Sequence, residues 1–383
     1  MPRDSVLQLV DAGETYRHWL HERLGQTLVD DLMSPDQALE WHGLCRALRL
    51  GEAPLPDDVD EDAIAGSGLP LETWLSEPVS GDSGAADLSP LWLVGGPHSG
   101  SCTLVHELLL GLCGARGSGA RARLGDALPV PLVLCGRTVR GPLGMLGMDV
   151  RWDSHASAAA AIERWWALAE RDVRRGVQRG FIADGLRAAA RPLVVIAGID
   201  ELPPPARAAA AGWIAELCAA GAPVLATTRT AAVPELEALR AAGRLRRGFI
   251  QPLARPVVDR FLARWARLPG DLEHAAAPDL RAAIDGAPAR LALARRPVTL
   301  TLLAVLVAAA GSAPDSLLEL QRGLLARLDG ARPSHRLLMA RIVADRDSPL
   351  PFAERAGWLA ALVAAAAAHD HPELGDTLGR DPE

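Results

Sequence analysis

Residues 91–104 read LWLVGGPHSGSCTL, and this stretch decides the fold. Apolar Leu91–Val94 runs into a glycine-rich turn, and the turn opens an apolar helix, LVHELLLGL. Strand, glycine turn and helix in that order match the frame of a phosphate-binding loop, GxxxxGK[ST], with Gly95 and Gly100 in register. Backbone N–H groups of such a loop, with the positive end of the next helix, can cradle phosphate. The lysine of the frame is replaced by Ser101, and Cys102 stands where a hydroxyl would hold magnesium. On these residues alone an ordinary strand–turn–helix joint explains the segment as well.

Outward from the loop, short apolar strands alternate with helices. VPLVLCG (130–136), PLVVIAGID (192–200) and APVLATTR (222–229) read as strands. Residues 159–186 read as mostly helical, and PPARAAAAGWIAELCAAG as a helix stopped by Gly221. Continuous apolar strands separated by helices predict an α/β fold with a parallel sheet covered on both faces. After about residue 250 helices take over: 256–268, 280–310, 316–328 and 354–368. Residues 1–50 also read as helical, with Ser34, Pro35 and Gln37 as a helix start. The stretch 51–90 is rich in Pro, Gly, Asp and Ser and reads as a linker around one amphipathic piece, LPLETWLSEPV.

Composition narrows the function. The 383 residues are 49% hydrophobic and 23% charged, enough for two or three packed domains. A net charge of -7 argues against a dedicated nucleic-acid binder, which needs a basic face. All 40 basic residues are arginine, in keeping with the Ala-, Gly- and Arg-rich usage of a GC-rich genome. The five cysteines, Cys45, Cys102, Cys113, Cys135 and Cys218, lack CxxC spacing and read as reduced thiols of a cytoplasmic protein. No signal peptide or membrane-length apolar run is evident, so no membrane partner is expected.

Two further segments carry chemistry. The acidic strand end, AGIDE (197–201), offers Asp200 and Glu201 to polarise water, while Ala197 occupies the place of a magnesium-binding aspartate. The strand ending TTR (227–229) can aim Arg229 at a terminal phosphate. Pro297, in ARRPVTLTLLAVL, opens an apolar helix.

Taken in order, these segments resemble the NACHT family of STAND-class signal-transduction NTPases. The likeness runs from about 90 to 310 and more weakly to 368. GGPHSGSCT is similar to the family's nucleotide loop, LPVPLVLCG (128–136) to its proline-bearing strand, AGIDE to its acidic strand and TTR to its sensor. Pro297 is similar to the helical-domain proline that faces the base. The resemblance implies a three-layer P-loop core over 91–250, a helical domain over 251–313 and a partial winged-helix-like region over 314–383, preceded by an N-terminal helical segment. It assigns nucleotide contacts to Gly95, Gly96, Pro97, His98, Ser99, Gly100, Ser101, Cys102, Thr103, Arg229 and Pro297, and a residual catalytic role to Asp200 and Glu201. It implies an ATP- or ADP-dependent switch in bacterial signalling or antiphage defence, partnered by further copies of itself or by another NACHT-type protein. Ser101, Cys102 and Ala197 remove three phosphate or magnesium contacts, each worth roughly 1.5–3 kcal/mol when charge-assisted. Weak nucleotide binding without effective magnesium is therefore expected, with hydrolysis lost. The absence of sensor repeats suggests a partial gene product.

A different class of chemistry stays open. Ser99 in PHSGS also fits the small-x-Ser-x-small turn of a serine hydrolase, with Asp200 and His274 or His335 completing a triad. Metal sites look poorer: Cys102 and His106 share a helix face, and His369 and His371 lie near the end, each pair without further ligands in view. Trp165 and Trp166 read as core residues.

Overall fold

Val224–Thr228 is buried at every position and Pro192–Ala197 at all but the first, as strands covered on both faces must be. The computed structural model describes residues 3–25, 35–56, 59–66, 68–77, 88–114, 119–125, 127–133, 157–173, 192–202, 204–268, 277–310 and 312–325. The chain opens with α1 (Arg3–Gly25) and α2 (Pro35–Arg46), then β1 (Leu50–Gly51), α3 (Glu61–Gly66) and α4 (Leu71–Ser76). β2 (Leu91–Val94) leads into α5 (Ser101–Cys113) and α6 (Gly119–Leu124). Alternation continues through β3 (Leu128–Val133), α7 (Ala158–Val173), β4 (Pro192–Ala197), α8 (Pro204–Ala219), β5 (Val224–Thr228), α9 (Pro234–Ala241) and β6 (Arg246–Ile250). Helices α10 (Arg255–Trp265), α11 (Ala277–Asp285), α12 (Pro288–Ala294), α13 (Pro297–Ala310) and α14 (Leu317–Leu325) follow.

The fold is α/β. Its strands form one sheet in the order β1-β6-β2-β5-β4-β3, parallel except for β1, which pairs antiparallel with β6. The chain leaves β2 in one direction to reach β3, then returns through β4 and β5 and passes β2 to reach β6. That reversal opens a crevice beyond the carboxyl ends of the strands. Register places Val94 opposite Thr228, so the glycine turn and the TTR strand end at one level. β5 lies between β2 and β4, which puts the sensor-like strand between the loop strand and the acidic strand.

Several sequence expectations change in detail. The long helix read over 280–310 is three helices, α11, α12 and α13, divided at Gly286–Ala287 and Arg295–Arg296. Each break precedes a proline, which disfavours helical geometry in the residue before it. The strand read to Asp200 ends at Ala197, because Gly198 turns left-handed at φ 70° and Ile199–Glu201 forms a 3-10 turn. β1 and β6 were not legible as strands. β1 is two residues long, at the 50/51 boundary between helical segment and linker, and β6 opens on two arginines. Of the strand read over 130–136, residues 134–136 lie outside the described residues, as do residues 326–383 of the winged-helix-like region.

The N-terminal helices share the core of the sheet domain: Tyr16, Trp19 and Leu20 of α1 join one buried cluster with Trp165 of α7 and Leu132 of β3. Both tryptophans read as core, Trp165 and Trp166, are buried. Cys45 and Cys113 are buried, Cys218 is half-buried and Cys102 is exposed. Burial pushes the Cys113 thiol up to about 12 and that of Cys218 up to about 11, so both stay protonated and unreactive. Among the described residues no helix is long and apolar enough to cross a membrane.

Candidate functional site

The turn after β2 is fixed by its glycines. Gly95 donates its N–H to Thr228 O at 3.0 Å, tying the turn to β5. A Cβ at Gly95 would stand 2.6 Å from Ser99 Oγ and 2.8 Å from both Ile250 Cδ1 and Ser101 Cβ. Gly100 caps α5 in the left-handed region at φ 81°, where a Cβ would meet Pro297 Cγ at 3.2 Å. His98 also holds a positive φ of 63° without being glycine, a strained backbone that the surrounding contacts must maintain. Gly95→Ala is accordingly expected to destabilise the fold by about 1–3 kcal/mol through overpacking. Gly96→Ala, where a Cβ meets nothing within 4 Å, is the control expected to stay within about 0.5 kcal/mol. Urea denaturation of the pair checks this, and equal effects would mean that the turn has room for a Cβ at Gly95.

The turn is also gripped from the far side of the crevice. Val298 N lies 3.4 Å from His98 O, and Arg296 Nη1 donates to Pro97 O at 3.3 Å. The start of α13 therefore holds two successive loop carbonyls. Arg295, only 5% exposed, is committed elsewhere: it donates to Val59 O at 2.5 Å and to Glu61 Oε2 at 3.0 Å. Glu61 in turn accepts the N–H of Arg255. The linker thereby fastens the helices after residue 250 to the sheet domain.

Between these elements lies a cleft of about 300 Å³. It gathers Gly96, Pro97 and Ser99 of the turn, Arg229 after β5, and Pro297. Of the other residues singled out by sequence, Gly95 and Gly100 shape the turn, Ser101 opens α5, Cys102 is exposed, and Thr103 is buried. Asp200 and Glu201 are not part of the cleft lining. Asp200 instead accepts the backbone N–H of Arg229 at 3.2 Å, so it positions the end of β5. Ala197 closes β4 with 1% exposure, and Gly198 N–H reaches Thr227 O at 3.1 Å. Behind the cleft, Trp92 Nε1 donates to Thr228 Oγ1 at 2.8 Å, and that hydroxyl donates to Thr230 O at 2.7 Å.

Sequence reasoning missed part of the lining. Leu55 comes from the linker, Ile250, Gln251 and Pro252 from the end of β6, and Arg296 from the residue before Pro297. The signal for Arg296 is present in ARRPV, directly before Pro297. Arg229 and Arg296 line the cleft beside Arg295, whose charge Glu61 already pairs, and no acidic residue is among the lining, in a chain of net charge -7. Apolar walls with convergent cations suit a ligand that is part flat and apolar, part anionic.

The serine-hydrolase alternative requires an exposed nucleophile on a sharp turn. Ser99 is 9% exposed, and its Oγ is buried against the loop. His274 and His335 lie outside the described residues, as do His369 and His371. Cys102 and His106 diverge, the first exposed and the second 1% exposed, so they do not face a common point in solvent. No protein-family model matches this chain, and the search of known proteins found no match.

Proposed function

We propose that the chain is a NACHT-like nucleotide-binding switch or oligomerisation scaffold whose hydrolytic chemistry is lost. One observation carries the proposal: three motifs far apart in sequence, the glycine turn, Arg229 and Pro297, line a single cleft beyond the carboxyl ends of parallel strands. A doubly wound sheet binds ligands at that place. In this reading the base of ATP or ADP packs between Leu55, Ile250 and Pro297, and the phosphates run toward Arg229 and Arg296.

Magnesium support is weak for chemical reasons. Ser101 offers a hydroxyl without charge, Cys102 a thiol in place of a hard oxygen ligand, and Ala197 a methyl. Phosphoryl transfer depends on positioned charge, so losing these groups removes the means of hydrolysis more than the means of binding. A chain that binds without hydrolysing cannot reset itself. It fits the part of a partner to further copies or to an active NACHT-type protein in a signalling or antiphage system.

Calorimetric titration with ATP and ADP, with and without magnesium, tests the proposal. Binding is expected for both nucleotides with little magnesium dependence, weakened at least about ten-fold by Arg229→Ala together with Arg296→Ala. No ATP turnover above a Glu201→Gln control is expected. Magnesium-dependent turnover that Glu201→Gln abolishes would overturn the pseudoenzyme part, and no heat from either nucleotide would overturn the binding part.

A further inference from the structure

We propose that His42, His106 and Glu107 form a transition-metal site, suited to Zn2+, buried between α2 and α5. His42 comes from α2, and His106 and Glu107 from α5. One ring nitrogen of His42, one of His106 and a carboxylate oxygen of Glu107 all lie within 4.8 Å of one another. Glu107 Oε1 is 2.5 Å from His42 Nδ1 and 3.9 Å from His106 Nδ1. Tetrahedral zinc with bonds of roughly 2.0–2.1 Å sets its ligand atoms about 3.3 Å apart, a value these two separations bracket.

The surrounding contacts orient His106 and Glu107 inward. His106 Nε2 lies 3.1 Å from Leu24 O. A carbonyl can only accept, so in the neutral ring the proton sits on Nε2 and Nδ1 turns its lone pair toward Glu107. Outer hydrogen bonds of this kind fix the tautomer of metal-bound histidines. Arg46 Nε holds Glu107 Oε2 at 3.0 Å, which leaves Oε1 to face the imidazoles. The Glu107 side chain is 8% exposed, and its Oε1 meets His42 Nδ1 without hydrogen-bond alignment although both atoms are buried. An imidazole nitrogen and a carboxylate held this close in a nearly dry site need a cation between them, and a metal ion meets that need as a proton does. Two imidazoles and one carboxylate are a zinc donor set. Cys45, one turn beyond His42, bonds to Thr103 and stays outside the set.

The site would link α2 to the helix that opens at the glycine turn. Cys45 and the nearby Leu48 already stand 3.4 Å from where a Cβ at Gly100 would lie. Metal occupancy therefore bears on the stiffness of the turn.

The test uses tag-free full-length protein, stripped with chelator and titrated with Co2+ or Zn2+. About one metal per chain is expected, with the visible bands of tetrahedral Co2+ and a higher melting temperature on metal addition. His42→Ala and Glu107→Gln, each checked for folding by circular dichroism, are expected to bind Co2+ at least about ten-fold more weakly, since even outer-shell losses cost that much. Absence of Co2+ bands in wild-type protein, with melting indifferent to metal, would overturn the site and leave a protonated His42–Glu107–Arg46 ion cluster in its place. Undiminished binding in both variants would overturn it equally. The wild-type titration stands even if a variant fails to fold.

Discussion

Ser101→Lys, Cys102→Thr and Ala197→Asp together are expected to tighten ATP·Mg binding at least about ten-fold, or about 1.4 kcal/mol. The turn already supplies backbone geometry: Gly95 and Gly100 fill the two places where a side chain would clash or strain. On the proposed nucleotide-binding function, what such a site lacks is an ammonium, a hydroxyl and a carboxylate. The first two replacements fall at the start of α5, where Ser101 is half-buried and Cys102 exposed, so neither adds bulk to the core. The third is costlier, because Ala197 is 1% exposed and a carboxylate there loses water. β5 separates β4 from β2, and strand spacing of about 4.8 Å puts the two strand ends roughly 10 Å apart. The introduced carboxylate would thus act on magnesium through water, as the acidic strand of a phosphate-loop enzyme does. Ser101→Lys with Cys102→Thr is expected to strengthen binding without metal, and Ala197→Asp to add magnesium dependence. Calorimetry on the double and triple variants separates the two steps. A folded triple variant with no gain would mean that the cleft is not a phosphate site.

Much of the architecture was legible because its signals are local. Leu91–Val94 and Pro192–Ala197 are unbroken apolar runs, Val224–Thr228 is apolar up to its two threonines, and Gly95, Gly100 and Gly221 punctuate them. β6 escaped because Arg246 and Arg247 interrupt the apolar pattern. Their guanidiniums lie over aromatic rings, Arg246 4.6 Å from Trp74 and Arg247 5.4 Å from Trp92, so charged residues behave there as half-buried ones. The cleft was half legible. The glycine turn, Arg229 and Pro297 each announce themselves by residue type, but Leu55 and Gln251 matter only through pairing across 200 residues: Gln251 Nε2 reaches Ala53 O at 2.9 Å. The contact of Asp200 with β5 was hidden for a related reason. A carboxylate three residues past the end of β4 reads from sequence as a water-polarising group, and nothing local shows that it also accepts the N–H of Arg229. His42 and Glu107 gave no signal at all, since 65 residues of chain separate them and neither sits in a ligand-like spacing.

Tyr16→Ala is expected to destabilise the whole domain by about 3–5 kcal/mol, the cost of emptying a large aromatic site in a packed core. Tyr16 is fully buried on α1, a helix that the sequence assigns to a separate N-terminal segment. Its hydroxyl donates to Pro129 O of β3 at 2.5 Å and accepts from Trp165 Nε1 of α7 at 2.7 Å. Burial pushes its ionisation far above the usual tyrosine range, so the phenol stays neutral and keeps both bonds across the working pH range. Trp19, on the same helix, meets Trp165 edge-on at 5.5 Å, and Arg121 of α6 reaches Glu14 at 2.6 Å. The ring therefore joins three elements distant in sequence. Tyr16→Phe isolates the polar part: the ring still fills the site, but Pro129 O and Trp165 Nε1 lose their partner, which costs about 1–3 kcal/mol. A detachable adaptor predicts a different outcome, with α1 melting by itself and the sheet unaffected. Denaturant unfolding followed by far-ultraviolet circular dichroism and by tryptophan fluorescence distinguishes the two. One coincident transition, shifted in both variants, means that α1 folds with the sheet. A wild-type sheet transition unchanged by Tyr16→Ala would make α1 an independent unit, and the contacts of Tyr16 would then contribute nothing to the stability of the site.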